Sequence, residues 1–259
     1  MTINLLAVGD VVSDRGVEFL TAHLRSLCKL HQADFVVVNG ENAAGVGILP
    51  RQAEDIFSAG ADVITLGNHT WNKQQICSYL DDSPYILRPA NYAGAVPGRG
   101  YGIYDGPRGL RIAVLNLMGR LNLDSNLDSP FSVADKLLSG IDADLVCVDF
   151  HAEATSEKLA LGHWLDGRVQ AFWGTHTHVP TADAQVLSGG TGYVTDLGMT
   201  GPANGILGVK AEQSINLFRG GIHQRYEAAD GPCKLEAVLF TVDTDARRCT
   251  GAVRVDING

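Results

Sequence analysis

The chain has 259 residues, with 20 Lys+Arg against 29 Asp+Glu and a formal net charge of -9. Its 45% hydrophobic and 19% charged residues exclude the low-hydrophobicity, high-charge regime of disordered chains, and its acidity argues against a nucleic-acid-polymer binder, which needs a basic face for backbone phosphates. A small phosphate-bearing ligand stays open, because a bound divalent cation can be the largest positive charge in a site.

Glycine supplies 30 residues, well above the roughly 7% of average chains, so many tight turns and strand-end loops are expected. The odd set Cys28, Cys77, Cys147, Cys233 and Cys249 has no Cys-x-x-Cys spacing and reads as thiols in a reducing cytosol. Met1 to Val8 is apolar but lacks a basic leader and meets Gly9-Asp10 too soon for a signal peptide. No stretch approaches the ~20 apolar residues of a membrane span. These features place the protein in the cytoplasm, away from membranes, as one domain over residues 1–259.

Short apolar runs rich in β-branched residues read as buried parallel strands: Ile3 to Val8, Phe35 to Val38, Val63 to Leu66, Ile112 to Leu117, Leu145 to Phe150 and Ala171 to Trp173. Between the first two, Val17, Leu20, Leu24 and Leu27 mark the stripe of an amphipathic helix, with Ser13 or Asp14 placed to cap it. Pro50 suits the first turn of a second helix, and Gln74 to Leu80 and Ser132 to Leu138 predict shorter ones. The loop from Met118 to Pro130 is the longest interruption. From Gln185 the style changes to hairpins: Gln185 to Leu187 with Tyr193 to Thr195, then Leu235 to Val242 with Cys249 to Ile257. The pattern predicts an α/β fold with right-handed crossovers and a mixed sheet, or two stacked sheets, rather than a purely parallel one.

The residues after these strands carry the chemistry. Val8 is followed by Gly9-Asp10, Val38 by Asn39-Gly40-Glu41-Asn42, Leu66 by Gly67-Asn68-His69, Phe150 by His151, and Trp173 by Gly174-Thr175-His176-Thr177-His178. In an open α/β sheet such strand ends converge on one edge. Imidazoles, carboxylates and an amide without cysteine suit borderline cations such as Mn, Fe or Zn rather than a structural zinc. The number of ligands predicts two ions about 4 Å apart sharing a carboxylate, holding a hydroxide nucleophile and clamping phosphate oxygens. Gly9, Gly40, Gly67 and Gly174 would leave room for metal and substrate.

At these residues the sequence resembles the calcineurin-like metallophosphoesterases, and more closely their YmdB-type branch of 2′,3′-cyclic nucleotide phosphodiesterases. The resemblance runs through Gly9-Asp10-Val11-Val12, Asn39 to Ala44, Gly67 to Trp71, Arg88 to Asn91, Asp149 to Lys158, Gly174 to His178 and Thr195 to Pro202. It implies a layered α/β sandwich with mixed sheets flanked by helices. It also implies that Asp10, Glu41 and His178 hold one metal, that Glu41 bridges, and that Asn68, His151 and His176 complete the other. His69 would be the general acid for the leaving oxygen or a donor to the phosphoryl group. The usual Asp-x-His of the wider superfamily reads Asp10-Val11-Val12 here, and Glu41 replaces the bridging Asp. The amide oxygen of Asn42 would fill the vacant position, which makes Fe or Mn as suitable as Zn.

The implied activity is hydrolysis of a small nucleotide phosphodiester, chiefly a 2′,3′-cyclic nucleotide, by metal-bound hydroxide. A phosphomonoesterase or nucleotidase, a zinc amidohydrolase, and a nucleotide-binding regulator with a structural metal pair are the alternatives. A homo-oligomer is open. Glu153, Thr155, Ser156, Glu157 and Lys158 either line the pocket or begin a helix. Arg88 and Arg120 read as solvated surface before phosphate contacts, and Trp71 and Tyr92 as core residues or stacking partners for a base.

Overall fold

The apolar runs become strands in the computed structural model, which describes residues 1–92, 94–123 and 126–259. The chain begins β1 (Thr2–Val8), β2 (Asp10–Val11), α1 (Ser13–His31), β3 (Phe35–Asn39), α2 (Pro50–Ala59), β4 (Val63–Thr65), α3 (Ile76–Asp82) and β5 (Ile86–Leu87). It continues through β6 (Tyr101–Asp105), β7 (Arg111–Met118), α4 (Pro130–Leu138), β8 (Leu145–His151), α5 (Thr155–Leu165), β9 (Ala171–Thr175), β10 (Gln185–Val186) and β11 (Gly192–Val194). The last elements are β12 (Met199–Pro202), α6 (Ala211–Phe218), β13 (Cys233–Leu235), β14 (Ala237–Asp243), β15 (Arg248–Arg254) and β16 (Ile257–Asn258).

Two six-stranded sheets form, ordered β15-β14-β1-β3-β4-β5 and β10-β11-β9-β8-β7-β6, beside a four-stranded sheet β16-β13-β12-β2. Each large sheet has a parallel centre, β1-β3-β4-β5 in the first and β11-β9-β8-β7 in the second. Both carry antiparallel margins, among them the two hairpins expected from the sequence. Alternation along the strands explains the layering. Leu6, Val8, Val36 and Val38 face α1 and α2, where Leu20, Leu24 and Ile56 meet them. Leu5, Ala7 and Val37 point the other way, into a core shared with Val114, Cys147 and Trp173 of the second sheet. The far side of that sheet, with Leu115, Val148 and Phe172, is covered by Ala134 of α4 and by Leu161 and Leu165 of α5. The result is a helix–sheet–sheet–helix sandwich.

Some boundaries differ from the sequence reading. Neither Ser13 nor Asp14 caps α1; the capping position is Val12, with no side-chain cap, and Ser13 is left-handed at φ 65°. The backbone enters the helix while still tied to its neighbours, Val12 N–H to Thr200 O at 2.8 Å and Ser13 N–H to Asn42 O at 2.9 Å. Asp14 instead accepts from Gln52 Nε2 at 2.8 Å. The run from Leu235 to Val242 splits at the buried Glu236, because Leu235 belongs to β13 in the small sheet. Helices α3 and α4 begin at Ile76 and Pro130 rather than at Gln74 and Ser132. Asp124 and Ser125, within the long loop after β7, lie outside the described residues. All five cysteines are free thiols. Among the described residues, no helix is long and apolar enough to cross a membrane.

Phe240 is fully buried between the sheets, stacked against Trp173 with centroids 5.9 Å apart. Phe240→Ala should cost about 3–5 kcal/mol of stability, because the cavity lies where two sheets prevent collapse. Urea denaturation measures it.

Candidate metal centre

The parallel strands of both sheets deliver their ends to one place. Asp10 opens β2, Glu41 and Asn42 follow β3, Asn68 and His69 follow β4, His151 ends β8, and His176 and His178 follow β9. Asp10, Glu41 and His151 are wholly buried. His151 Nε2 faces three acceptors at once: Glu41 Oε2 at 2.8 Å, Asn68 Oδ1 at 3.1 Å and His176 Nδ1 at 3.1 Å. Glu41, His151 and His176 offer ligand atoms all within 4.8 Å of one another.

A relay of buried groups sets the direction of the His151 ring. Thr175 Oγ1 donates to Asp149 Oδ1 at 2.7 Å and lies 3.0 Å from His151 Nδ1. With its proton committed to Asp149, the hydroxyl accepts from Nδ1–H and leaves Nε2 for the cluster. Thr65 Oγ1 at 2.5 Å and Asn39 Nδ2 at 3.2 Å occupy the other Asp149 oxygen. The remaining histidines are oriented in the same manner. His176 Nε2 lies 3.1 Å from Glu153 Oε2, so Nδ1 faces inward. His178 Nδ1 meets Leu207 O at 3.1 Å and its Nε2 lies 3.7 Å from Asp10 Oδ1.

Among the described residues, two buried carboxylate oxygens have no hydrogen-bond donor, Asp10 Oδ1 and Glu41 Oε2. The second is close to His151, but the contact lacks hydrogen-bond direction. A buried carboxylate oxygen without a donor is costly, and a cation beside each would satisfy both. The donor set of carboxylates, imidazoles and amide oxygen therefore fits divalent cations. Asn42 presents its amide nitrogen to His178 Nε2 at 3.2 Å and its oxygen to His69 Nδ1 at 3.1 Å. His69 is not free at both nitrogens: Nδ1 also lies 2.8 Å from Glu41 Oε1, leaving Nε2 as the nitrogen without a partner in the cluster.

Comparison with known proteins follows the same line. The model of the YmdB-like protein family matches residues 6–255. The chain belongs to that family. It is 42% identical over 259 residues to a Bacillus subtilis protein named 2′,3′-cyclic-nucleotide 2′-phosphodiesterase, covering 99% of this chain and 97% of that one. Its structure matches the crystal structure of a hypothetical protein from Thermus thermophilus, with a TM-score of 0.93 and 38% identity over 99% of each chain. It also matches that of a novel phosphatase from Mycoplasma pneumoniae, with a TM-score of 0.94 and 34% identity over 100% of this chain and 94% of the other. The layered sandwich is thus shared with a phosphatase.

Side chains weighed around these motifs separate in the structure. Arg88 is not solvated surface; it is 7% exposed and donates to Gly98 O and Pro89 O. The Glu157 carboxylate accepts the Arg120 N–H at 2.9 Å and anchors the turn after β7, while the Arg120 side chain is exposed. Trp71 and Tyr92 pack edge to face at 4.7 Å, and Trp71 leans on the first-sheet core. Helix α5 starts at Thr155 without a side-chain cap. The Asp149–Thr175 relay was missed in the sequence, although a polar residue two before His151 in a strand shares its face.

Electrostatics knit the cluster together. Burial works against the Glu41 carboxylate, but His151 and His69 outweigh it and hold it well below the usual carboxylate range. Burial likewise opposes charge on His151, yet Glu41, then Asp10 and Asp149, raise it to about 9. Asp10 is pushed up to about 6 by burial, partly offset by His178 and His151. Burial and then His151 press His176 down to about 3.

Without a cation, His151 is therefore protonated at neutral pH, and an incoming cation must displace that proton. Binding at pH 7.5 should release at least one proton and tighten as pH rises toward 9. Calorimetric titrations in buffers of different ionisation enthalpy measure the release, and uptake with none would contradict the assignment. Gly67→Ala should abolish loading at this half of the site. A Cβ there would lie 1.7 Å from Glu41 Oε2 and 2.3 Å from His151 Nε2, and metal analysis of the purified variant checks it.

Proposed function

We propose that this chain is a cytoplasmic phosphodiesterase that uses two divalent cations to hydrolyse small nucleotide phosphodiesters, with 2′,3′-cyclic nucleotides as its substrates. The observation that carries the reading is the pair of donorless buried oxygens, Asp10 Oδ1 and Glu41 Oε2, set among three inward-facing imidazoles. The printed name of the Bacillus subtilis relative supports the substrate class. Asp10, Glu41 and His178 would hold one cation, with Asn42 beside it, and Glu41, Asn68, His151 and His176 the other. Iron or manganese suits a thiolate-free set that includes an amide, and zinc is the alternative. When bound, the cations supply Lewis acidity toward the phosphate oxygens and a nucleophile at neutral pH. Residues 1–259 would work as one domain.

The protein's own part is orientation and proton supply. Glu41 fixes His69 through both the ring and the backbone N–H, at 2.8 and 3.3 Å. The ring stays 30% exposed while Glu41 is fully buried, which supports a His69 Nε2 open to an arriving substrate. A proton held there can pass to the departing ribose oxygen, a step that contributes roughly 10²–10⁴-fold when the leaving group is poor. The strand-end residues bind and orient; His69 moves the proton.

This division gives a leaving-group test. His69→Ala should slow hydrolysis of 2′,3′-cyclic AMP by about 10²–10⁴-fold. It should affect bis-p-nitrophenyl phosphate far less, because p-nitrophenolate departs without protonation. Equal losses on both substrates would remove the acid role. Asp10→Ala should lose cation binding and activity on both, and full activity in that variant would overturn the two-cation reading. The Mycoplasma pneumoniae relative described as a novel phosphatase motivates a second reading, a monoesterase. Turnover of 2′- and 3′-AMP that exceeds turnover of the cyclic diester would favour it.

A further inference from the structure

We propose that the buried pair Lys158–Asp196 is a positioning device for the His176-Thr177-His178 turn, setting how tightly and in what geometry cations bind. The proposal rests on the metal-centre reading above.

Both histidines of this turn have left-handed backbone, with φ 101° at His176 and 61° at His178. Residues with side chains hold that conformation only where their surroundings impose it. Thr177, between them, is the anchored point. Its N–H and its hydroxyl both donate to Asp196 Oδ2, at 3.2 and 2.8 Å. The same oxygen receives Lys158 Nζ at 2.6 Å, and Asp196 Oδ1 receives the Gly198 N–H at 2.8 Å. These donors on the carboxylate belong to the turn, to Lys158 and to the segment leading into β12.

The route of the lysine is unusual. Lys158 is fully buried and Asp196 is 1% exposed. The lysine leaves α5 and passes β9 at Gly174, where a Cβ would lie 2.8 Å from Lys158 Cδ and 1.9 Å from Thr195 O. Only glycine leaves that passage open. Neither charged side chain hydrogen-bonds to a proposed ligand; their hydrogen-bonded link to the histidine turn is Thr177. The ion pair itself is not needed for stability, since replacing a buried ion pair by hydrophobic residues is often neutral or stabilising, but Asp196 also serves the Thr177 and Gly198 donors. What an apolar pair cannot do is accept the two Thr177 donors and so fix the imidazoles on either side.

The test uses Co²⁺ as the probe, with its visible d–d absorption reporting ligand geometry and chelator competition reporting affinity. Two variants are compared with the wild type: the double variant Lys158→Met/Asp196→Leu, and Thr177→Val, which removes only the hydroxyl. Thr177→Val should keep the metal-free unfolding midpoint near that of the wild type, whereas the double variant should lower it, because the Thr177 and Gly198 N–H groups lose their acceptor. The double variant should bind Co²⁺ about 10–100-fold more weakly, as loss of groups behind metal ligands does, with altered d–d bands; Thr177→Val should change both in the same direction by less. Wild-type affinity and spectrum in the folded variants would overturn the proposal. If the double variant does not fold, Thr177→Val decides alone, and unchanged binding there overturns it. A wild type that takes up no Co²⁺ would overturn the metal-centre reading, and this proposal with it.

Discussion

Two buried carboxylates at the seam of a β-sandwich, each with one oxygen that has no donor among the described residues, are the constraint around which this protein is arranged. Burying an ionised group without compensation is prohibitive, and Asp10 and Glu41 are both fully buried. The chain meets the cost with imidazoles on every side, and the protonated His151 is the provisional counter-ion of the metal-free protein. That arrangement would be a placeholder: the second proton of His151 sits on the Nε2 that faces the cluster, so a cation and that proton would compete for one lone pair.

Around that centre the structure commits polar groups to direction. Thr175, Glu153 and the Leu207 carbonyl each occupy one nitrogen of one histidine, which fixes the tautomer that the other nitrogen needs. The layers of helix outside the sheets are ordinary amphipathic packing. The unusual demands, left-handed histidines and a lysine passing a strand at a glycine, are concentrated where β9 ends.

Much of this was legible in the sequence, for identifiable reasons. The six apolar runs became strands because each is buried on both faces, and the proposed ligands share one place because parallel strands end on one edge. The sequence did not reveal which sheet covers which face. Leu5 and Leu6 are adjacent and equally apolar, yet they enter different cores, and only strand pairing decides that. The small sheet was hidden because β2, β12, β13 and β16 are too short for periodicity to speak. Arg88 was misread because its partners are backbone carbonyls, which leave no mark in residue types. Lys158, open in the sequence between a pocket residue and a helix start, lies in α5 and reaches Asp196 past Gly174.

The proposed ligands come from both halves of the sandwich. Asp10, Glu41 and Asn68 follow strands β1, β3 and β4 of one large sheet, whereas His151, His176 and His178 belong to β8 and the end of β9 in the other. Neither half holds enough donors to complete the cluster. The cluster therefore forms only where the two sheets have docked on their shared core, a non-local arrangement. A cation held by the proposed ligands would act as a rivet through the interface between the two sheets.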